Sequence, residues 1–267
     1  MEQPKNNFKI VPDKKARMIL PNALTLIGVC IGLSSIKFAL DSKFELSIIA
    51  IIFAALFDGL DGRIARLIKG TSKVGKELDS LTDVISFGVA PAFIMYFWSL
   101  NNLGKFGWLL CLIYVVCVAL RLARFNIHSN AEPSWRDNFF EGVPSPAGGI
   151  IVLMPLIFSL SELDIFNVNY NLIVPIFFIT TSFLLISKFP TYSLKKIVIP
   201  RSMTIFLLFG IVLFFGLLLI YTFKVIALSG LVYLSLIPIS FLHYQKIKKQ
   251  NNVDVIKDES EDLEDIL

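Results

Sequence analysis

The stretch from Leu46 to Asp83 reads LSIIAIIFAALFDGLDGRIARLIKGTSKVGKELDSLTD. Its first twelve residues are uncharged, and four aspartates follow: Asp58, Asp61, Asp79 and Asp83. At about 1.5 Å per residue, the uncharged run covers about 18 Å of a hydrocarbon core that is about 30 Å thick. We therefore expect Asp58 to lie inside a membrane, and Asp83, which precedes the sixteen remaining residues of an apolar span, to lie at a similar depth.

The spacing of the four acids indicates that they share one cavity. Asp58 and Asp61 are three residues apart, and Asp79 and Asp83 are four apart, so each pair lies on one helix face. Acids at membrane depth are costly and mark function by default. Four unpaired carboxylates would not all stay ionised, and oxygen-only ligands favour Mg²⁺ or Mn²⁺, with Ca²⁺ as a third option. We expect two divalent metals, able to clamp a phosphoryl group. The alternative is a set of salt bridges with Arg63, Arg66 and Lys76.

The composition of the whole chain agrees with a membrane location. Of its 267 residues 55% are hydrophobic and 17% are charged, whereas a soluble domain has about 25% charged residues. This excludes a disordered chain, collagen and a disulfide-stapled secreted domain. The three cysteines form no CxxC motif and only His128 and His243 are histidines, so thiolate zinc and histidine triads are disfavoured.

Apolar segments follow one another along most of the chain. A helix needs about 20 apolar residues to cross the hydrocarbon, and open strand edges are not tolerated there. We predict an all-α integral membrane protein, a polytopic bundle of about eight transmembrane helices. The predicted spans are 18–40, 45–65, 80–99, 107–126, 146–161, 171–187, 203–222 and 224–244.

The positive charges predict the orientation of these spans. Twenty-one of the 25 Lys and Arg residues lie in the two terminal segments and in the loops after the even-numbered spans, and four lie on the other side. Cationic loops face the cytoplasm, so both termini and the acidic site are expected there, most simply in a bacterial inner membrane. We divide the chain into a basic segment (1–17), a transmembrane domain (18–244) and an acidic, disordered tail (245–267). No nucleic-acid partner is expected.

The aspartates also belong to a longer pattern. Residues 58–83 resemble the signature D-x2-D-G-x2-A-R-x8-G-x3-D-x3-D of the CDP-alcohol phosphatidyltransferase family. Eight fixed residues within 26 are far more specific than a lone glycine motif. Every fixed position is present: Asp58, Asp61, Gly62, Ala65, Arg66, Gly75, Asp79 and Asp83.

The resemblance implies an enzyme that transfers a phosphatidyl-type group from a CDP-linked lipid to an alcohol and releases CMP. By that similarity, one metal is held by Asp58, Asp61 and Asp79, and a second by Asp58, Asp79 and Asp83. Asp83 would also accept the proton of the incoming hydroxyl. The implied CDP-lipid contacts are Asn22, Thr25, Gly62, Ala65, Arg66, Ser72 and Gly75. For Asn22 and Thr25, a purely structural role at a polar helix entry stays open, and a homodimer is plausible by the same similarity.

Three further segments suggest the acceptor alcohol. Arg121–Asn126, Phe140–Ala147 and Lys188–Lys196 resemble the family members that use L-serine. The serine carboxylate needs a cationic partner, and Arg121 and Arg124 lie three residues apart. The alternative for both is that they extend to the lipid headgroups. Glycerol 3-phosphate and inositol phosphate stay open as acceptors.

A cation transporter is the alternative from another functional class. Transporters place polar sites at broken helices in corresponding halves of the chain. Here all four acids lie in one predicted helix pair, and spans five to eight hold no counterpart, which disfavours a transport path.

Overall fold

The computed structural model describes residues 13–68, 72–128, 139–161, 169–192 and 203–264. Within these ranges a π-helical turn spans Val84–Val89, and a 3₁₀ turn spans Leu100–Leu103. The helices are α1 (Asp13–Leu40), α2 (Phe44–Leu67), α3 (Lys73–Asp83), α4 (Ala90–Trp98), α5 (Lys105–His128), α6 (Ser145–Leu160), α7 (Tyr170–Ile186), α8 (Thr204–Ile220) and α9 (Thr222–Glu264).

The described helices include several that suit a lipid bilayer. Four segments are long and apolar enough to cross it: Ile19–Leu40, Val74–Trp98, Lys105–Ile127 and Thr222–Ile247. The apolar helices α6, α7 and α8 are shorter, and α2 carries the apolar run that ends in acids. The chain is a helical membrane protein, which confirms the coarse fold class; the count of eight spans and the position of the termini stay predictions.

The third span begins earlier than the sequence predicted. Hydropathy placed its start at residue 80, whereas α3 starts at Lys73. The Ser72 side chain caps this helix by accepting a hydrogen bond from the Gly75 amide at 2.9 Å. The charged residues Lys76 and Glu77 lower the mean hydropathy of the first turns. A search for apolar segments therefore does not detect the start of this capped helix.

The last helix, α9, continues to Glu264, into the segment 245–267 for which the sequence predicts disorder. Residues 243–264 contain neither glycine nor proline, and a helix that is already nucleated extends with little further cost. The apolar start of α9 supplies that nucleus.

A short β-ribbon departs from the all-α prediction. The strands β1 (Phe139–Glu141) and β2 (Pro190–Tyr192) pair antiparallel, with Phe140 opposite Thr191. Gly142 follows β1 at φ 76°, and its amide donates to the Phe189 carbonyl at 2.8 Å. Each strand has only three residues and lies next to a turn, so neither shows the alternating pattern from which strands are predicted.

The core of the bundle is centred on α6. Ten of its sixteen residues are buried, whereas none of the residues of α8 is. A Cβ atom at Gly149 would lie only 3.3 Å from the Phe87 Cα atom, so this glycine lets α6 approach the π turn closely. The bundle therefore positions the π turn against its most buried helix.

Neighbouring helices also support the π turn, which begins directly after Asp83. A π turn widens the helix and is frequent at functional sites. The Tyr114 hydroxyl of α5 is fully buried and donates to the Phe87 carbonyl at 2.7 Å. On the α1 side, a Cβ atom at Gly32 would meet the Ser86 Oγ atom at 2.5 Å. These contacts fix the direction in which the helix leaves Asp83.

Replacing Tyr114 with Phe tests this support. The variant leaves the Phe87 carbonyl buried without its donor, which costs about 1 kcal/mol and lowers the Tm by about 2–4 °C. Thermal unfolding of the detergent-solubilised protein measures the change. The matched control is Tyr96→Phe, since no hydrogen bond of that hydroxyl is found among the described residues, and equal Tm values for the two variants would contradict the assigned role.

Candidate active site

Three of the four predicted acids meet where α2 and α3 approach each other. Asp58, Asp61 and Asp79 each offer a carboxylate oxygen, and these oxygens lie within 4.8 Å of one another. Asp61 is 4% exposed. Helical spacing puts Asp58 and Asp61 on one face of α2, and α3 returns Asp79 to that face. The arrangement suits oxygen ligation of a divalent cation.

The fourth acid, Asp83, lies next to this group and not within it. It is the last residue of α3 and is 9% exposed. Its Oδ2 atom accepts a hydrogen bond from the Ser145 hydroxyl at 2.8 Å, and its carboxylate interacts with that of Asp58. No hydrogen-bond partner for its Oδ1 atom is found in the described part of the chain.

The first helix contributes two of the predicted polar residues. The buried Thr25 places its Oγ1 atom 2.5 Å from Asp61 Oδ2 and 3.0 Å from the Pro21 carbonyl oxygen. One turn earlier, Asn22 lies against α3, because a Cβ atom at Gly75 would come within 2.9 Å of Asn22 Oδ1. The structure therefore brings α1 to the acid cluster, as the two polar positions predicted.

The small and basic positions of α2 border open space. Gly62 is exposed, and a Cβ atom there would meet no heavy atom within 4 Å. Ala65 is half-buried, and Arg66 is exposed in the last turn of the helix. Gly75 and Ser72, in contrast, each have a structural role, since Gly75 makes room for Asn22 and Ser72 caps α3.

The two arginines assigned to serine point to different places. The Arg121 guanidinium is 9% exposed, and its Nη1 atom donates to the Ser145 hydroxyl at 2.8 Å. Arg124 instead donates through Nη1 to the carbonyl of Ile186, the last residue of α7, at 2.7 Å. A cation at that helix end stabilises its free carbonyl groups. The structure brings Arg121 to the acids and does not bring Arg124 there.

Sequence reasoning missed Ser145, the residue that links Asp83 to Arg121. This serine opens α6 and is fully buried. It lies within the segment Phe140–Ala147, but a serine between two prolines ordinarily marks only a helix start. A hydroxyl at the first position of an apolar span, in a chain with acids at similar depth, is the signal that points to it.

The salt-bridge interpretation of the acids fails in the described part of the chain. Within it, only the exposed pair Lys37–Asp41 lies close enough for an ion pair. None of the four aspartates pairs with Arg63, Arg66 or Lys76 among the described residues. Among the basic side chains that the structure describes on α2 and α3, none forms an ion pair with the acid cluster.

Comparison with known proteins agrees with this geometry. The family model for CDP-alcohol phosphatidyltransferase matches residues 18–187. The chain belongs to the CDP-alcohol phosphatidyltransferase family. The match extends from the first transmembrane helix to the end of α7 and so includes every site residue described above.

Several relatives in this family carry one name, CDP-diacylglycerol–serine O-phosphatidyltransferase. The Mycobacterium leprae protein is 36% identical over 233 residues, which cover 85% of this chain and 76% of the relative. The Mycobacterium tuberculosis H37Rv protein is 43% identical over 137 residues, which cover 51% of this chain and 48% of the relative. The Helicobacter pylori 26695 protein is 40% identical over 136 residues, which cover 51% of this chain and 56% of the relative. The aligned region thus spans about half the length of the last two relatives.

The open space at Gly62 yields a prediction with a matched control in the same helix. A Cβ atom at Gly59 also meets nothing within 4 Å, and Gly59 is not a fixed position of the family signature. Gly→Ala at either site improves helix propensity by about 0.5–1 kcal/mol. We expect Gly62→Ala to weaken CDP-diacylglycerol binding at least tenfold, because its methyl group would enter the open space that the family resemblance assigns to the nucleotide, while Gly59→Ala binds normally.

Titration of a fluorescent CDP-diacylglycerol analogue against both variants measures this difference. Unchanged affinity in Gly62→Ala would show that no ligand approaches the helix at that position.

Proposed function

We propose that this chain transfers the phosphatidyl group of CDP-diacylglycerol to the hydroxyl of L-serine, giving phosphatidylserine and CMP. The observation that carries the proposal is the cluster of Asp58, Asp61 and Asp79 beside Asp83, at the signature positions of the family. The names of its relatives support serine as the acceptor. A cation transporter has no support from these comparisons.

The acid cluster fits divalent cations. Three carboxylate oxygens within 4.8 Å repel one another unless a cation lies among them, and their all-oxygen character favours Mg²⁺ or Mn²⁺, with Ca²⁺ as a third option. Asp58, Asp61 and Asp79 would hold one ion, and Asp58, Asp79 and Asp83 a second. Bound there, such ions supply positive charge against the diphosphate and acidify a nearby hydroxyl.

The nucleotide is assigned to the open side of α2. Gly62 and Ala65 leave room for it, and the exposed guanidinium of Arg66 suits a phosphate. On the neighbouring helix α1, the polar side chains of Asn22 and Thr25 are directed towards the acid cluster. Ser72 and Gly75 shape the start of α3 beneath them.

The acceptor is assigned to the buried side, where Asp83 and Arg121 lie. The serine hydroxyl oxygen bonds to the phosphatidyl phosphorus, the bond from that phosphorus to the CMP oxygen breaks, and the hydroxyl proton passes to the Asp83 carboxylate. An aspartate is a weak base for an alcohol, so proton transfer comes late in a loose transition state. The Arg121 guanidinium binds the carboxylate of serine.

The orientation in the membrane is part of the proposal. Eight spans with both termini cytoplasmic account for the 21 cations on one side and four on the other, and place the acids on the cytoplasmic side of a bacterial inner membrane. A homodimer through the phenylalanine-rich α8 and α9 is consistent with the exposure of Phe206, Phe209 and Phe215.

Acceptor competition tests the proposed reaction. Purified protein with CDP-diacylglycerol and Mg²⁺ or Mn²⁺ should release CMP when L-serine is added. D-serine, glycerol 3-phosphate and inositol phosphate, each tested alone, should give less than about a tenth of that rate, and chelation of the metal should abolish it. Release that depends on glycerol 3-phosphate and not on L-serine would assign the chain to another acceptor.

Replacement of single acids separates the proton acceptor from the metal ligands. Asp83→Asn should lower kcat at least about 100-fold because the proton acceptor is lost, while the affinity for CDP-diacylglycerol changes little. Asp79→Asn removes a ligand assigned to both metals and should lower binding and turnover together. Mn²⁺ binding followed by electron paramagnetic resonance should weaken for both ions in Asp79→Asn and for one ion in Asp83→Asn, and equal losses of CDP-diacylglycerol and Mn²⁺ binding in the two variants would make Asp83 a metal ligand only.

A further inference from the structure

The Ser145 hydroxyl connects two groups that the proposed function assigns to the acceptor. Its Oγ atom lies 2.8 Å from Asp83 Oδ2 and 2.8 Å from Arg121 Nη1. All three side chains are buried, with Ser145 at 0% exposure. They come from three different elements, namely the end of α3, the start of α6 and the last third of α5.

The direction of both hydrogen bonds follows from the chemistry of the partners. A guanidinium only donates, and an ionised carboxylate only accepts. A serine hydroxyl has one proton, so Ser145 accepts from Arg121 and donates to Asp83. An alanine at this position would leave a carboxylate oxygen and a guanidinium nitrogen without their partner.

The bridge lies at the first turn of α6. Ser145 is the first residue of α6, and the Gly148 amide bonds to the Pro144 carbonyl at 2.9 Å. The N-cap residue, Pro144, makes no side-chain capping bond, and the Ser145 hydroxyl is used entirely for the two bonds described. Its role is therefore not that of a helix cap.

The bridge leaves specific atoms without partners. In the described part of the chain, Asp83 Oδ1 and Arg121 Nε are buried and make no hydrogen bond. Buried polar groups are ordinarily satisfied, so such a pair of an acceptor and a donor suits a ligand that supplies both a hydroxyl and a carboxylate. In serine these two groups are close together on one small molecule.

We propose that Ser145 is a positioning residue. It holds Arg121 and Asp83 at the spacing that suits an acceptor whose hydroxyl oxygen and carboxylate carbon are three bonds apart. The inference rests on the proposed function and extends it, because neither the family signature nor the relatives' names assign this serine. Ser145 holds one oxygen of Asp83 so that the other faces the incoming hydroxyl, and holds Arg121 at a matching distance for the carboxylate.

Replacement of Ser145 with Ala gives the first test. We expect kcat/KM for L-serine to fall about 10- to 100-fold, the cost of misplacing reacting groups by about 1 Å, with a higher KM for serine and an unchanged KM for CDP-diacylglycerol. The matched control is Ser161→Ala. Ser161 is the C-cap of the same helix and is equally buried, and among the described residues its hydroxyl bonds only to the Phe158 carbonyl at 2.8 Å. Equal kinetics for the two variants would overturn the proposal.

A double-mutant cycle distinguishes positioning from a general effect on the fold. If Ser145 acts through Arg121, the Ser145→Ala change should cost little more in an Arg121→Ala background, since residues that act as one unit are not additive. If the activity loss of the double variant equals the product of the two single-variant losses, the two residues have independent roles, and this would contradict the proposed positioning.

Two further measurements keep the outcome unambiguous. If Ser145→Ala does not fold, Ser145→Cys replaces it, because a thiol of similar size is a weak donor; full activity of that variant overturns the proposal. The wild-type reaction separates this inference from the proposed function. Serine-dependent CMP release with a normal Ser145→Ala variant rejects the bridge alone, whereas no CMP release by the wild type with any acceptor rejects both.

Discussion

Repulsion between carboxylates inside an apolar bundle is the constraint on which the rest of the structure depends. Three carboxylate oxygens, from Asp58, Asp61 and Asp79, lie within 4.8 Å of one another, and no Lys or Arg among the described residues pairs with these acids. Such a group keeps its full charge only if a cation lies among the acids, and the backbone must hold them together. The apolar helices supply this backbone support, because their lipid-covered surfaces and their dry core need no polar partners of their own.

The contacts that support the acids are most extensive around Asp83. The π turn starts at the next residue, and the Tyr114 hydroxyl, Gly149 and Gly32 hold it from three helices. The Ser145 hydroxyl then fixes the carboxylate itself. A widened helical turn is costly to maintain, and its position directly after the proposed proton acceptor indicates that it sets the direction of that side chain.

Most of the helical framework could be predicted from the sequence, since apolar runs of membrane length have few alternatives. The spans predicted at 146–161 and 171–187 differ by one residue at each end from α6 and α7. The grouping of Asp58 with Asp61 followed from helical periodicity. The π turn, the β-ribbon and the separation of Arg124 from Arg121 depend on tertiary contacts between distant segments, which no local pattern encodes. Ser145 was missed for the same reason, because its partners are 62 and 24 residues away in the sequence.

The proposed function also gives a physical reason why the eight-residue signature does not identify the acceptor alcohol. The signature lies on α2 and α3, which hold the acids and border the space assigned to the nucleotide. Arg121 and Ser145 lie on the other side of Asp83, on α5 and α6. That side is completed by the β-ribbon, where the Thr191 hydroxyl bonds to the Gly142 carbonyl at 2.8 Å, and by α9, whose Phe241 ring contacts Phe189. In the proposed function the metal-dependent step and the choice of alcohol are carried by different helices, which meet at the Asp83 carboxylate. A change of acceptor is then expected to require substitutions in α5, α6 and the ribbon, with the aspartates of α2 and α3 unchanged.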